Sequence, residues 1–208
     1  MMFIERIRKT YKSGQSIFTK EILSLFPEYT RAYVFRLLKK SLCKGELFRV
    51  SNGAYCIPKK TFFGYSGISS GQVASEKYIR NEEEVFGIYS GLSLLNQFGI
   101  STQVPNVIEI VTNKETNRKR TVTIGGMKYI IRKSRFEITK ENSSYYTVLQ
   151  LFSELRSSDE IDDFSKRKIE EYFSENGINQ RCLFQYSKSF PARAIKNLVE
   201  SEVLNRTI

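Results

Sequence analysis

The chain has 208 residues and a mass of 24.2 kDa, and its 40% hydrophobic and 13% aromatic content supports packed cores and excludes a disordered tail. It contains no histidine, which excludes Cys/His zinc fingers, Ser-His-Asp or Cys-His catalysis and imidazole bases. Residues 1–60 hold thirteen Lys or Arg against four Glu, which leaves 20 basic and 18 acidic residues for the rest. A local excess of positive charge is typical of a protein that binds a polyanion, with nucleic acid the leading candidate.

Three helices are predicted at the beginning of the chain. Apolar residues recur at helical spacing in Phe3–Tyr11, Lys20–Phe26 and Arg31–Lys44. Thr19 and Thr30 are positioned as N-caps of the second and third helices, and Gly45 as the carboxyl-terminal cap of the third. We therefore expect a short helix, a tight turn at Pro27-Glu28-Tyr29 and a longer helix.

The third predicted helix has a polar, basic side opposite its apolar stripe. A short helix, a turn and a longer helix form the arrangement in which the second helix of the pair enters the major groove of DNA. Arg31, Tyr33 and Arg36 are then the candidates for reading base edges. The further DNA-binding candidates on or next to this helix are Thr30, Lys39 and Lys40.

A hairpin is predicted immediately after the third helix. Residues 46–57 contain two short apolar runs separated by Ser51-Asn52-Gly53, and Asn-Gly is a strong hairpin signal. A two-stranded ribbon in this place is a wing, and its candidates for touching phosphates are Arg49, Asn52, Lys59 and Lys60. Residues 1–60 are therefore predicted to form a winged helix-turn-helix domain that binds DNA.

Residues 61–71 are predicted to be a linker, because they are rich in Gly and Ser. Phe62, Phe63 and Tyr65 within it are expected to pack one domain against the other. Residues 72–208 are predicted to form a larger mixed α/β domain with a small sheet and a helical carboxyl-terminal part, which makes the whole chain α+β. Its expected elements are helices at Gln72–Arg80, Gly91–Phe98, Tyr145–Leu155, Ile161–Phe173 and Pro191–Val203, strands at Val85–Ile88 and Val107–Val111, and a hairpin of Thr121–Ile124 and Tyr129–Ile131 around Gly125-Gly126.

Three features could suggest a catalytic, metal or phosphate site, and we predict no such function for any of them. Cys43, Cys56 and Cys182 lie far apart among apolar neighbours, as buried structural cysteines do. The acidic run Asp159–Asp163 lacks the alternating ligands and glycine of a calcium loop, and Gly125-Gly126 lacks the Lys and Ser or Thr of a phosphate loop. No catalytic residue, metal site or cofactor is predicted, so we expect that the protein is not an enzyme.

Four segments together resemble the AbiEi-type family of bacterial antitoxins and regulators. They are Phe48-Arg49-Val50-Ser51-Asn52-Gly53-Ala54-Tyr55, Tyr89-Ser90-Gly91-Leu92-Ser93-Leu94-Leu95, Phe98-Gly99-Ile100-Ser101-Thr102-Gln103-Val104-Pro105 and Ile108-Glu109-Ile110-Val111-Thr112. The resemblance implies a DNA-binding repressor of its own operon, with a carboxyl-terminal domain that counteracts a nucleotidyltransferase toxin without necessarily forming a stable complex with it. It assigns DNA-binding roles to Arg31, Tyr33, Arg36, Lys40, Arg49 and Asn52.

The predicted function is therefore that of a repressor and antitoxin of a type IV toxin-antitoxin system, acting on double-stranded DNA of its own promoter. Two alternatives stay open: an orphan winged-helix regulator, and an interaction module in which residues 72–208 block a partner enzyme without DNA. Because the sequence shows neither a signal peptide nor a continuous apolar run, no membrane association is expected and the predicted location is cytoplasmic.

Overall fold

A computed structural model describes residues 2–62 and 64–206. The chain divides into two compact units, one of residues 1–76 with 123–127 and the other of residues 77–122 with 128–208. Each unit contains helices and small sheets, which confirms the predicted α+β class. Among the described residues, no helix has the length and apolar character needed to cross a membrane.

The first unit contains three helices, most of a fourth and a three-stranded antiparallel sheet with the strand order β1-β3-β2. Its elements are α1 (Phe3–Thr10), β1 (Ser16–Phe18), α2 (Thr19–Leu25), α3 (Arg31–Cys43), β2 (Phe48–Ser51), β3 (Ala54–Cys56), the separate hairpin β4 (Lys59–Thr61) and β5 (Gly64–Ser66), and most of α4 (Ser70–Tyr78). Ile7, Ile17, Ile22 and Val34, from α1, β1, α2 and α3, have no exposed surface and share one apolar core. This core fixes the helices against the sheet.

Two features of the first unit differ from the sequence prediction. Strand β1 was not predicted, because three residues without apolar alternation give no strand signal and its partner β3 is far along the chain. The predicted linker 61–71 contains part of the β4–β5 hairpin and the start of α4. Phe62 is 98% exposed and Tyr65 66% exposed, and Phe63 lies outside the described residues, so the packing of these aromatics between the domains stays a prediction.

The second unit holds most of a four-stranded sheet with the order β6-β7-β9-β8. Its strands are β6 (Gly87–Ser90), β7 (Val107–Thr112), β8 (Lys119–Ile124) and β9 (Met127–Lys133), and its helices are α5 (Gly91–Gln97), α6 (Ser143–Glu154), α7 (Asp163–Glu175), α8 (Gln180–Ser187), α9 (Ala192–Glu200) and two short 3-10 turns at Ser158–Glu160 and Val203–Arg206. Strand β7 is antiparallel to β6 and parallel to β9. Helix α6 is buried on all sides from Tyr146 to Ser153 and forms the centre of the core.

Several details of the second unit correct the sequence prediction. The first strand of the sheet, β6, is Gly87–Ser90 instead of the predicted Val85–Ile88, and it pairs along β7. Helix α8 was not predicted, since the sequence prediction has no helix between Phe173 and Pro191. The expected burial of the cysteines holds for Cys56, whereas Cys43 is exposed and Cys182 partly exposed.

The turn after β7 is organised by Glu115, a carboxylate that is only 4% exposed. Its Oε1 accepts hydrogen bonds from the backbone N–H groups of Thr116 and Asn117, both at 3.1 Å, and its Oε2 lies 2.7 Å from Nε of Arg120. Burial raises the pKa of Glu115, but the Asn117 N–H and the Arg120 guanidinium outweigh burial, so the pKa lies below its ordinary value.

We expect Glu115→Gln to lower the free energy of unfolding by about 1–3 kcal/mol at neutral pH, because one polar partner of a buried network changes. A carboxylate whose pKa is lowered by folding stabilises the fold above its unfolded pKa, about 4.3, and loses this contribution as the pH falls through its folded pKa. The difference in the free energy of unfolding between the wild-type protein and the variant should therefore become smaller at acidic pH. Urea unfolding from pH 7 to pH 3 measures it, and Glu171→Gln, which changes an exposed carboxylate on α7, is the control. An equal loss in both variants would contradict the prediction.

Candidate nucleic-acid interface

Helix α3 begins at a side-chain cap, as predicted. Oγ1 of Thr30 accepts a hydrogen bond from the backbone N–H of Tyr33 at 3.3 Å. At the other end Gly45 has a φ of +68°, and its N–H donates to the Leu42 carbonyl at 3.0 Å. Both ends of the helix are therefore capped by residues of the first unit.

The burial pattern of α3 separates an apolar side from a cationic side. Val34, Leu38 and Ser41 are buried against the core of the first unit. The exposed side chains of the helix include Arg31, Tyr33, Arg36, Lys39 and Lys40. None of the four cations among them forms an ion pair with a carboxylate in the described part of the chain. Their charge therefore remains available to an anionic partner.

Aromatic rings hold two of these cations close to the helix surface. The Arg36 guanidinium lies 4.7 Å from the centre of the Tyr33 ring, and the Arg31 guanidinium lies 5.6 Å from that of Phe35. Phe35, which is 38% exposed, is not among the residues predicted from the sequence to bind DNA. Because Phe35 lies between apolar positions of α3, the sequence did not indicate that its side chain is exposed.

The turn between α2 and α3 is fixed by a continuous row of aromatic rings. Phe3 stacks on Phe26 at 4.6 Å between ring centres, Phe26 on Tyr29 at 5.8 Å, and Tyr29 contacts Tyr33 edge to face at 5.0 Å. Pairs of this kind contribute about 0.5–1.5 kcal/mol beyond the area they bury. The row therefore joins α1, the turn and the first residues of α3.

The predicted hairpin is formed by β2 and β3, and the turn between them is anchored to α2. Gly53 has a φ of +76°, and its carbonyl accepts hydrogen bonds from the Thr19 N–H at 2.9 Å and from Thr19 Oγ1 at 3.2 Å. The predicted N-cap role of Thr19 is wrong, because Thr19 is the first residue of the helix and its side chain binds the hairpin. Within the turn, the Arg49 guanidinium donates a hydrogen bond to the Asn52 side-chain oxygen.

All ten predicted DNA-binding residues lie in the first unit, on three different elements. Six are on or next to α3, Arg49 and Asn52 are in the β2–β3 hairpin, and Lys59 and Lys60 are on the exposed strand β4. Strands β4 and β5 form a sheet separate from β1-β3-β2, so the two lysines do not belong to the predicted wing. The described residues contain no group of three metal-ligating side chains.

In a comparison with known families, the model of DUF6088, described as a family of unknown function, matches residues 3–180. The match covers nearly all of the first unit and most of the second. Comparison with curated proteins gives no match.

We expect Gly53→Ala to destabilise the first unit by about 1–2 kcal/mol, because an alanine is strained at this positive φ. The added Cβ would also lie 3.2 Å from Thr19 Oγ1. Gly67→Ala is the matched control, since its φ is not in the left-handed region and its new Cβ would come no closer than 3.6 Å to another side chain. Urea unfolding of both variants measures the difference. Equal stability of the two variants would contradict the role assigned to the Gly53 turn.

Proposed function

The chain belongs to the DUF6088 family, and we propose that it is a regulator whose first unit binds double-stranded DNA as a winged helix-turn-helix. The observation that carries the proposal is the exposed side of α3, where Arg31, Arg36, Lys39 and Lys40 have no carboxylate partner among the described residues. The order of α2, the turn, α3 and the β2–β3 hairpin supports it, since recognition helices and wings follow one another in this order.

In this proposal α3 enters the major groove with its amino-terminal half. Arg31 and Arg36 are placed to read base edges, since a guanidinium can donate two hydrogen bonds to a guanine. Tyr33 supports Arg36 through their ring contact. Lys39, Lys40 and Arg49 then neutralise phosphates, which gives affinity without sequence selection. Lys59 and Lys60 add charge from the β4–β5 hairpin.

We further propose that the protein represses its own operon and is the antitoxin to a nucleotidyltransferase encoded beside it. This part rests on the resemblance to AbiEi-type proteins in the segments around β2–β3, α5 and β7. The charge distribution agrees with two separate roles, since the second unit holds 20 basic and 17 acidic residues and the first carries most of the excess. The orphan regulator and the interaction module that acts without DNA are the alternatives.

The first test measures binding to the DNA upstream of the gene. Loss of a base-reading arginine costs about 1–3 kcal/mol, so Arg31→Ala and Arg36→Ala should each weaken specific binding roughly 5- to 150-fold. Lys39→Ala should instead lower the slope of affinity against salt concentration by about 1. Fluorescence anisotropy at several salt concentrations, with a scrambled duplex beside the specific one, separates the two effects.

Arg167→Ala with Arg181→Ala is the control for the double variant Arg31→Ala with Arg36→Ala. It removes the same charge from exposed positions on α7 and α8 of the second unit. Specific binding that stays unchanged in the α3 variant, or falls equally in the control, would overturn the proposed DNA interface. Circular dichroism of both proteins shows that each is folded.

The second test separates toxin neutralisation from DNA binding. The full-length variant with Arg31→Ala and Arg36→Ala should still restore growth to cells that express the neighbouring nucleotidyltransferase, while it no longer represses a reporter under the operon promoter. Growth rate and reporter activity are measured in the same strain. Failure of the wild-type protein to restore growth would remove the antitoxin role and leave an orphan regulator.

A further inference from the structure

The second unit contains a cleft of about 580 Å³ whose wall is strongly cationic. Five basic side chains line it: Arg118, Arg132, Lys133, Arg135 and Arg193. Glu154 is the only acidic side chain among the described residues that line it. The second unit as a whole is nearly balanced, with 20 basic and 17 acidic residues, so this concentration of charge is local.

The cleft lies at the carboxyl ends of two parallel strands. Strand β7 ends at Thr112 and β9 at Lys133, and the segments that follow them supply Arg118 and Arg135. Helices α6 and α9 form the remaining wall. Crevices beyond the carboxyl ends of parallel strands are common ligand sites in α/β sheets. Its volume falls in the range of about 300–1,000 Å³ that is usual for small-molecule sites.

Most of the positive charge in the cleft is uncompensated. Arg132 is the exception, because its Nε and Nη2 lie 2.8 and 2.7 Å from Oε2 of Glu109. Oε1 of Glu154 already accepts hydrogen bonds from Ser90 Oγ at 2.7 Å and Gln150 Nε2 at 2.6 Å. The other four cations have no carboxylate partner in the described part of the chain.

Two of the cations are held by contacts with the surrounding structure, and a third follows a turn whose backbone is held by hydrogen bonds. Nη2 of Arg193 donates to the Ser153 carbonyl at the end of α6, at 2.5 Å, and its other N–H groups remain for a ligand. The backbone N–H of Arg135 donates to the Tyr146 hydroxyl at 2.9 Å, and its guanidinium lies 5.2 Å from the Phe190 ring centre. Arg118 follows the turn organised by Glu115. The guanidinium groups of Arg135 and Arg193 are therefore oriented before a ligand binds.

We propose that this cleft binds a small phosphorylated anion of nucleotide size, such as a nucleoside triphosphate, through its phosphate groups. Several guanidinium groups converging on one concave site suit clustered phosphate oxygens, because each guanidinium can form two charge-assisted hydrogen bonds with them. The volume of the cleft, about 580 Å³, suits a small molecule rather than a nucleic-acid strand. The proposal does not depend on DNA binding by α3.

Isothermal titration calorimetry of the full-length protein with ATP and with tripolyphosphate tests the proposal. We expect both to bind, since the phosphate chain is the group recognised. The double variant Arg118→Gln with Lys133→Gln should weaken both at least tenfold. Both side chains are exposed and carry no carboxylate partner, so their loss leaves the core intact.

The control is Arg167→Gln with Lys188→Gln, which removes one Arg and one Lys from exposed positions of the same unit away from the cleft. It should change the affinity less than twofold. A rise in the melting temperature with ATP, seen in the wild-type and control proteins and absent in the cleft variant, is the second readout.

The following outcomes would overturn the proposal. One is the absence of binding by both probes at millimolar concentration. Another is an equal loss of affinity in the cleft variant and its control, which would indicate attraction to net charge alone. The third is a single-stranded oligonucleotide that binds through Arg118 and Lys133 while ATP does not. Retained ATP binding by the variant with Arg31→Ala and Arg36→Ala would support a site independent of the α3 interface.

Discussion

The burial of Val34 and Leu38 on one side of α3 is the constraint on which the arrangement of the first unit depends. These two side chains join residues of α1, β1 and α2 in a single core, so the helix cannot rotate without exposing them to water. The orientation of every other side chain on α3 follows from this burial. Arg31, Arg36 and Lys39 are consequently held in solvent.

The elements on either side of α3 are fixed by contacts of a different kind. The ring contacts of Phe26, Tyr29 and Tyr33 determine how the chain enters the helix, and the hydrogen bonds from Thr19 to the Gly53 carbonyl determine where the hairpin turn lies. Both sets of contacts hold α3 and the hairpin in place against neighbouring segments of the first unit. The proposed DNA-binding surface requires this rigidity, because misplaced contacts lose both affinity and selectivity.

Much of the first unit could be predicted from its sequence, because its signals are local. Thr30 as a cap, Gly45 at the end of α3 and Asn52-Gly53 as a turn each act on residues within a few positions of themselves. The predictions were wrong where a structure depends on distant partners. Strand β1 exists because Ile17 pairs with Tyr55, and Thr19 binds a carbonyl 34 positions away.

The cleft of the second unit was beyond the reach of sequence reasoning for the same physical reason. Arg118, Lys133 and Arg193 come from the turn after β7, the end of β9 and helix α9, and only the fold brings them together. The nearly equal numbers of basic and acidic residues in this unit also give no sign of a cationic site. A net charge sums over all residues and does not show which of them the fold brings together. The exposed side of α3 is therefore built from residues close together in the sequence and could be predicted from it, whereas the cleft is built from distant residues and could not. An exposed helix face suits an extended polyanion, whereas a cleft with oriented guanidinium groups suits a small one.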